Sequence, residues 1–170
     1  MATGVAVTLA GEAIRLWGVH HIGAISRTRT DRLGPLIDTG PFAFVRNPLY
    51  IGNIALWVGF ALTARLAWMA PFIALLLGLE YHTIVRWEEQ LLLSRLGDAY
   101  REYTTRVPRW LPGSNRGGRG ERRTDQVRSA NSAVSAVAFS WKETLFSERG
   151  TLIAIALGYV LLWLKLKTWN

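Results

Sequence analysis

Residues Leu49 to Val85 read LYIGNIALWVGFALTARLAWMAPFIALLLGLEYHTIV, an almost uninterrupted apolar stretch. A helix crosses the hydrocarbon core of a bilayer with about 20 such residues, so this stretch is too long for a single crossing. Arg65 marks an interruption, and Pro71 shortly after it suits the first turn of a new helix. The stretch therefore predicts a transmembrane helical hairpin.

Two more apolar runs lie on either side of this hairpin, from Gly4 to Ile25 and from Thr151 to Leu166. Glu12 and Arg15 interrupt the first run, and charged residues inside a membrane are costly unless they are paired or used. Their i, i+3 spacing leaves an intrahelical ion pair and a site role equally open. We expect an all-α, multi-pass integral membrane protein with about four transmembrane helices.

Positive charge is concentrated on the two sides of the hairpin. The net charge is +8, and the segments Arg27 to Arg46 and Arg86 to Arg128 are rich in arginine. The positive-inside rule places both segments in the cytoplasm. Gly113 to Arg128 has no aromatic residue on which a base could stack, so we expect membrane lipids and no nucleic acid as partners.

The same patterns divide the chain into three parts. Residues 1–112 form a predicted membrane core, and residues 113–131 form a Gly/Arg-rich linker. Residues 132–170 are expected to form a surface helix, Ser132 to Arg149, followed by a C-terminal membrane helix. The chain has no cysteine, and its three histidines lack partners at ligand spacing, so we expect no metal.

The charge distribution makes a topology prediction. Single cysteines introduced at Ser26 and Ser114 should resist a membrane-impermeant thiol reagent in intact cells, because both positions lie in arginine-rich segments. Both should react after the cells are opened. Labelling of either one from outside would contradict a cytoplasmic location for that segment.

Gly40 to Gly52 reads GPFAFVRNPLYIG, where two turns lead directly into the hairpin. Pro48 suits a helix start, and the free N–H groups of a helix N-terminus bind carboxylates well. Tyr50 offers an aromatic face, and Gly52 permits close backbone approach. The alternative is an interfacial turn in which Arg46 holds a lipid phosphate.

A second cluster follows the hairpin, with RWEEQLLL from Arg86, LGDAYREY from Leu96 and RVPRWLP from Arg106. Glu88 and Glu89 point about 100° apart on a helix, so at most one can face a given pocket squarely. Arg86 lies at i, i+3 to Glu89, and a salt bridge between these two residues is the alternative to a site role.

Together the two clusters resemble the isoprenylcysteine carboxyl methyltransferase family and the related membrane phospholipid methyltransferases. The resemblance runs from about Gly34 to Pro112 and rests on the order and spacing of the motifs. It implies a cytoplasmic catalytic segment that moves a methyl group from S-adenosylmethionine to a lipid-like or isoprenoid acceptor at the membrane. In two places the chain departs from the family pattern: Asn47 stands for the usual His, and Phe42 for the usual Tyr.

The resemblance also implies site residues. Those expected to bind S-adenosylmethionine are Leu36, Ile37, Gly40, Phe42, Arg46, Asn47, Pro48, Tyr50, Gly52, Glu88 and Glu89. Those expected to act in catalysis are Arg86, Glu88, Glu89 and Arg109. One of the two glutamates would hold the cofactor's ammonium group, with Glu89 favoured by a small margin.

Two other functions remain open. Sterol reductases resemble this family in their C-terminal portion and use a nicotinamide cofactor, although this chain is short for their extra membrane helices. A non-catalytic membrane anchor with a basic tether is the second alternative. A soluble Rossmann-type methyltransferase is excluded, because no Gly-x-Gly-x-Gly turn follows a predicted strand.

Overall fold

The computed structural model describes residues 1–23, 36–112 and 140–168. These residues form helices and no strand, which confirms the all-α prediction for the described part of the chain. The helices are α1 (Ala2–Ile22), α2 (Pro48–Thr63), α3 (Ala70–Leu96), α4 (Asp98–Arg106) and α5 (Trp141–Thr168), with 3-10 turns at Gly40–Ala43 and Ala67–Met69.

The helical hairpin has the predicted break. α2 ends at Thr63, Arg65 adopts a positive φ of 63° in the turn, and α3 begins at Ala70 with Pro71 in its first turn. Proline fits there because the first N–H groups of a helix have no partner within the helix. The interruption at Arg65 was therefore a correct signal.

Two helical stretches of the described residues are long and apolar enough to cross a membrane. They are Ala67–Leu96, which is the second 3-10 turn together with α3, and α5 (Trp141–Thr168). The apolar α2 is shorter, at 16 residues. A membrane protein is consistent with these lengths, while the figure of about four spans and the cytoplasmic placement of the arginine-rich segments stay predictions. The linker at 113–131, together with Arg27, Arg29 and Arg32, lies outside the described residues.

Glycines allow α1 and α2 to pack with their backbones in close contact. A Cβ atom added at Gly11 would lie 2.7 Å from the carbonyl oxygen of Gly52, closer than real Cβ contacts come. Seven residues away on each helix, a Cβ atom added at Gly4 of α1 would lie 2.7 Å from the carbonyl oxygen of Gly59 of α2. Small residues at such spacing are typical of membrane helix pairs, where close packing replaces the hydrophobic effect.

The C-terminal region differs from its prediction. Residues 141–149 were expected to belong to a surface helix separate from the last apolar run, but they are the first turns of the continuous helix α5. Thr144 and Glu148 are buried, and Glu148 pairs with Arg15 of α1. Because these polar contacts face α1, one side of the segment packs against the protein, while Trp141, Leu145 and Phe146 on its other side stay exposed. The remainder of the predicted surface helix, 132–139, lies outside the described residues.

Candidate active site

The two sequence clusters meet at the start of α2. The backbone N–H of Arg46 donates a hydrogen bond to the carbonyl oxygen of Pro108 at 2.9 Å, and the Asn47 side-chain amide donates to the carbonyl oxygen of Arg109 at 3.1 Å. These bonds join the segment before α2 to the segment after α4. Residues about 60 positions apart thus form one structural unit.

Glu89 lies between two arginines. Its Oε1 accepts the Arg109 Nε at 3.0 Å and lies 3.0 Å from the Arg46 Nη1, while its Oε2 accepts the Arg109 Nη2 at 2.6 Å. The paired Arg109–Glu89 contacts have the two-bond geometry that makes guanidinium–carboxylate pairs strong. The hydrogen bonds to Glu89 raise the pKa of the Arg109 guanidinium. Glu89 therefore links α3 to both neighbouring segments.

Glu88 has a different environment from its neighbour. The Tyr50 hydroxyl donates a hydrogen bond to Glu88 Oε1 at 3.0 Å, and the Tyr50 ring lies 4.7 Å from the ring of Tyr81. Tyr50 and Tyr81 thus form an aromatic surface beside this carboxylate. The expected difference in direction between Glu88 and Glu89 is present, because their partners lie on different elements.

Two tyrosines of α4 support the loop that carries Phe42. The Tyr103 hydroxyl donates to the carbonyl oxygen of Phe42 at 2.8 Å, and Tyr100 is hydrogen-bonded to Arg46. Burial raises the pKa of the Tyr100 hydroxyl, and the nearby Glu89 carboxylate raises it further. Burial also raises the pKa of Tyr103. Both phenols therefore remain protonated at neutral pH, with Tyr103 donating to the Phe42 carbonyl oxygen and Tyr100 accepting from Arg46.

A cavity of about 450 Å³ opens beside Glu89. Its volume falls within the range of about 300 to 1,000 Å³ typical of small-molecule sites. The lining combines cationic, acidic and neutral polar side chains. The lining residues are Arg46, Arg86, Glu89, Gln90, Leu93, Tyr100, Arg101, Thr104 and Arg109. Four arginines face one carboxylate here, so the cavity suits a ligand with an anionic group.

The structure brings together only part of the predicted set. Arg46, Arg86, Glu89 and Arg109 line the cavity. Arg86 makes no ion pair with Glu89 in the described part of the chain, because Arg46 and Arg109 occupy that carboxylate. The i, i+3 salt bridge weighed for Arg86 is therefore not formed.

Most other predicted residues are not among those that line the cavity, and several of them support the loop before α2. The residues outside the lining include Leu36, Ile37, Gly40, Phe42, Asn47, Pro48, Tyr50 and Glu88. Pro48 and Phe42 are buried, and Leu36 packs against the cluster formed by Tyr100, Tyr103 and Val107. Ile37, half-buried, lies in the same loop. Gly40 has a positive φ of 59° beside the His21 ring, a conformation that favours glycine. These residues hold the loop that ends at Asn47.

Gly52 lies elsewhere. Its backbone lies against the Gly11 carbonyl oxygen and the Arg15 side chain of α1, so Gly52 serves the α1–α2 contact. It is not among the residues that line the cavity. The spacing of the motif could not distinguish a glycine that faces a ligand from one that faces a helix.

Sequence reasoning missed other residues of the cavity, among them Tyr100 and Thr104. The spacing of Gly97, Tyr100 and Tyr103 in LGDAYREY was a usable signal, because residues three apart share one face of a helix. Tyr100 and Tyr103 of α4 share that face, and their rings lie 5.9 Å apart. Within the described residues, no group of three or more His, Asp or Glu side chains could hold a metal ion.

Comparisons with known proteins give two similar relatives. The chain is 32% identical over 98 residues to the nickel-cobalt-cadmium resistance protein NccN of Alcaligenes xylosoxydans xylosoxydans. This match covers 58% of this chain and 43% of that protein. It is 33% identical over 78 residues to the cobalt-zinc-cadmium resistance protein CzcN of Cupriavidus metallidurans. This match covers 45% of this chain and 35% of that protein. The chain spans less than half the length of these curated relatives. No solved structure is significantly similar to it.

The sequence model of the phospholipid methyltransferase family matches residues 1–99, a range that includes α1, α2 and α3 with Arg46, Tyr50, Glu88 and Glu89. Because the match covers 99 of 170 residues and contains the hairpin and both glutamates of the site, the chain belongs to the phospholipid methyltransferase family.

Proposed function

We propose that the chain transfers a methyl group from S-adenosylmethionine to a lipid-like acceptor at the cytoplasmic surface of the membrane. The observation that carries the proposal is the Arg46–Glu89–Arg109 unit, which joins both motif clusters beside a cavity of about 450 Å³. The family match supports the reaction type. The cofactor, the acceptor and the roles of individual residues are parts of the proposal.

The residues present fit the charged groups of S-adenosylmethionine. Its methionine part carries a carboxylate and an ammonium group. Among the described residues, Arg46 Nε is buried with no hydrogen-bond partner, and Arg86 and Arg101 also line the cavity, so a carboxylate there would meet guanidinium donors. Buried polar groups without a partner are costly in a folded protein, which makes such a ligand stabilising.

The contacts of the two carboxylates favour Glu88 for the ammonium group. Glu89 is neutralised by Arg46 and Arg109, and two adjacent guanidinium groups repel a further cation. Glu88 accepts a hydrogen bond from a neutral tyrosine and forms no ion pair with a cation among the described residues. We therefore propose Glu88 as the ammonium ligand and Glu89 as the residue that positions Arg46 and Arg109, which reverses the small preference drawn from the sequence.

When bound, S-adenosylmethionine supplies a methyl group already activated by its positive sulfur, which an acceptor lone pair takes as the carbon–sulfur bond breaks. The work left for the chain is alignment and exclusion of water, and good alignment alone is worth effective molarities of about 10⁵ to 10⁸ M. Asn47 replaces the family's His and has no group that titrates near neutral pH. Its amide holds the Arg109 carbonyl, so its proposed role is to position the segment after α4.

Cofactor binding distinguishes this proposal from its rivals. Calorimetric titration of the detergent-purified protein should give saturable heat with S-adenosylmethionine and none with NADPH. Incubation with methyl-labelled S-adenosylmethionine and membrane lipids should then transfer the label to the lipid fraction. Binding of NADPH alone would favour the sterol-reductase-like function, and binding of neither compound would favour a membrane anchor.

A further inference from the structure

α5 lies outside the residues matched by the family and is nevertheless joined to the core by polar contacts. Arg15 Nη2 of α1 donates to Glu148 Oε2 of α5 at 2.6 Å, and the Tyr159 hydroxyl donates to Thr8 Oγ1 at 2.7 Å. Tyr159 also lies 3.4 Å from Thr63 Oγ1 of α2. α5 is therefore held against the α1–α2 pair at two levels, Glu148 and Tyr159.

Arg15 is the centre of these contacts. It is hydrogen-bonded to Asn53 of α2 as well as to Glu148, and it lies 3.4 Å from Glu12 on its own helix. The side chain of Glu148 is only 3% exposed. Charges buried in this way are costly unless they are paired, and removing one partner of such a pair is strongly destabilising. The contacts therefore hold α5 at a defined position beside α2.

Between α2 and α5 lies an open cleft of about 680 Å³. On α2 its lining extends from Asn53 to Ala64, which at 1.5 Å per residue is roughly 16 Å of helix. On α5 it extends from Thr151 to Lys165. Almost all of the lining is apolar, and its charged members are the cations Arg15 and Lys165 at opposite ends. The cleft is shaped for an elongated apolar group that carries a polar group at one end.

The cleft ends close to the candidate active site. Asn53 lies three residues, about one turn, after Tyr50, whose hydroxyl binds Glu88. Trp57 lines the cleft and lies seven residues after Tyr50, so the two side chains share one face of α2. A molecule in the cleft with its polar group beside Arg15 and Asn53 would therefore present that group one helical turn from Tyr50.

We propose that α5 builds, together with α2, the binding cleft for one hydrocarbon chain of the methyl acceptor, and that it selects acceptors by the length of that chain. The acceptor's polar group, an uncharged hydrogen-bond acceptor, lies at Arg15 and Asn53, because Glu12 and Glu148 beside Arg15 would repel an anion. The chain extends towards Lys165. This inference rests on the proposed function, because it takes the methyl acceptor to be the occupant of the cleft.

Two alanines of α5 provide a matched test. Ala154 lines the cleft, whereas Ala156, two residues further along the same helix, does not, and both are exposed. The probe is a methyl palmitate analogue with a diazirine at the chain end, offered to the whole chain in phosphatidylcholine vesicles. After irradiation, mass spectrometry locates the labelled residues. Calorimetry with S-adenosylmethionine is performed in parallel on each variant.

The wild type and Ala156→Phe should be labelled at the cleft residues of α2 and α5, near the Lys165 end. Ala154→Phe fills the cleft, so its labelling should fall at least roughly tenfold, since the apolar contacts of several methylene groups are lost. If Ala154→Phe does not fold, Leu161→Trp tests the same cleft from another position. S-adenosylmethionine affinity should be equal in all folded variants, because none of these positions lines the cavity beside Glu89.

Equal labelling of Ala154→Phe and Ala156→Phe would overturn the proposal. So would labelling of the lipid-facing Leu157, which is 58% exposed, as strong as that of the cleft, because this pattern indicates contact with bulk lipid only. If neither the wild type nor any variant bound S-adenosylmethionine, the proposed function would be contradicted. The labelling would still report whether the cleft holds a hydrocarbon chain. The two failures are therefore distinguishable.

Discussion

Glu88→Gln is expected to weaken the binding of S-adenosylmethionine about 10- to 150-fold. The substitution keeps the shape of the side chain and a carbonyl oxygen for the Tyr50 hydroxyl, but it removes the charge proposed to hold the ammonium group. A hydrogen bond to a charged group is worth about 1.5 to 3 kcal/mol, which corresponds to that loss of affinity. The measurement is calorimetric titration of the cofactor into the wild type and the variant, with thermal unfolding measured in parallel.

Glu89→Gln is the matched comparison, and its expected effect is of a different kind. It leaves Arg46 and Arg109 beside each other without the carboxylate that neutralises them, so the unfolding temperature should fall along with any change in affinity. If Glu89→Gln instead lost affinity at unchanged stability while Glu88→Gln bound normally, the ammonium ligand would be Glu89. If both variants folded and bound like the wild type, neither carboxylate would contact the cofactor.

Gly11→Ala is expected to destabilise the folded protein by about 1 to 3 kcal/mol, the usual cost of inserting atoms into a well-packed interior. The added methyl group would lie 2.7 Å from the Gly52 carbonyl oxygen and 2.9 Å from the Ala55 Cβ. One of these contacts is with backbone, which cannot move aside as a flexible side chain can. The free energy of unfolding can be measured by titration with a denaturing detergent in mixed micelles.

Gly78→Ala is the control for this experiment. Gly78 lies within α3, and a Cβ atom added there would meet nothing within 4 Å. The exchange of glycine for alanine in a helix is therefore expected to be neutral or slightly stabilising at this position. Equal stability of Gly11→Ala and Gly78→Ala would mean that α1 and α2 are further apart than the structure places them.

The sequence by itself determined the helical class, the break between α2 and α3, and the family. Each of these depends on neighbouring residues: apolar runs, an interruption at Arg65, a proline at the start of a helix, and motifs in a set order. Such signals are local, so they can be read without knowing what lies across the fold. The two clusters that meet beside Glu89 were both identified in this way.

Only the tertiary structure decided which residues pair and which surfaces meet. Glu89 binds Arg46 and Arg109, 43 and 20 positions away, instead of Arg86 on its own helix. Gly52 packs against α1, and Glu148, in the first turns of α5, pairs with Arg15 of α1. The physical reason is the same in each case. The sequence offers a charged or small residue several possible partners at similar spacing, and only the packing of distant helices determines which of them it contacts.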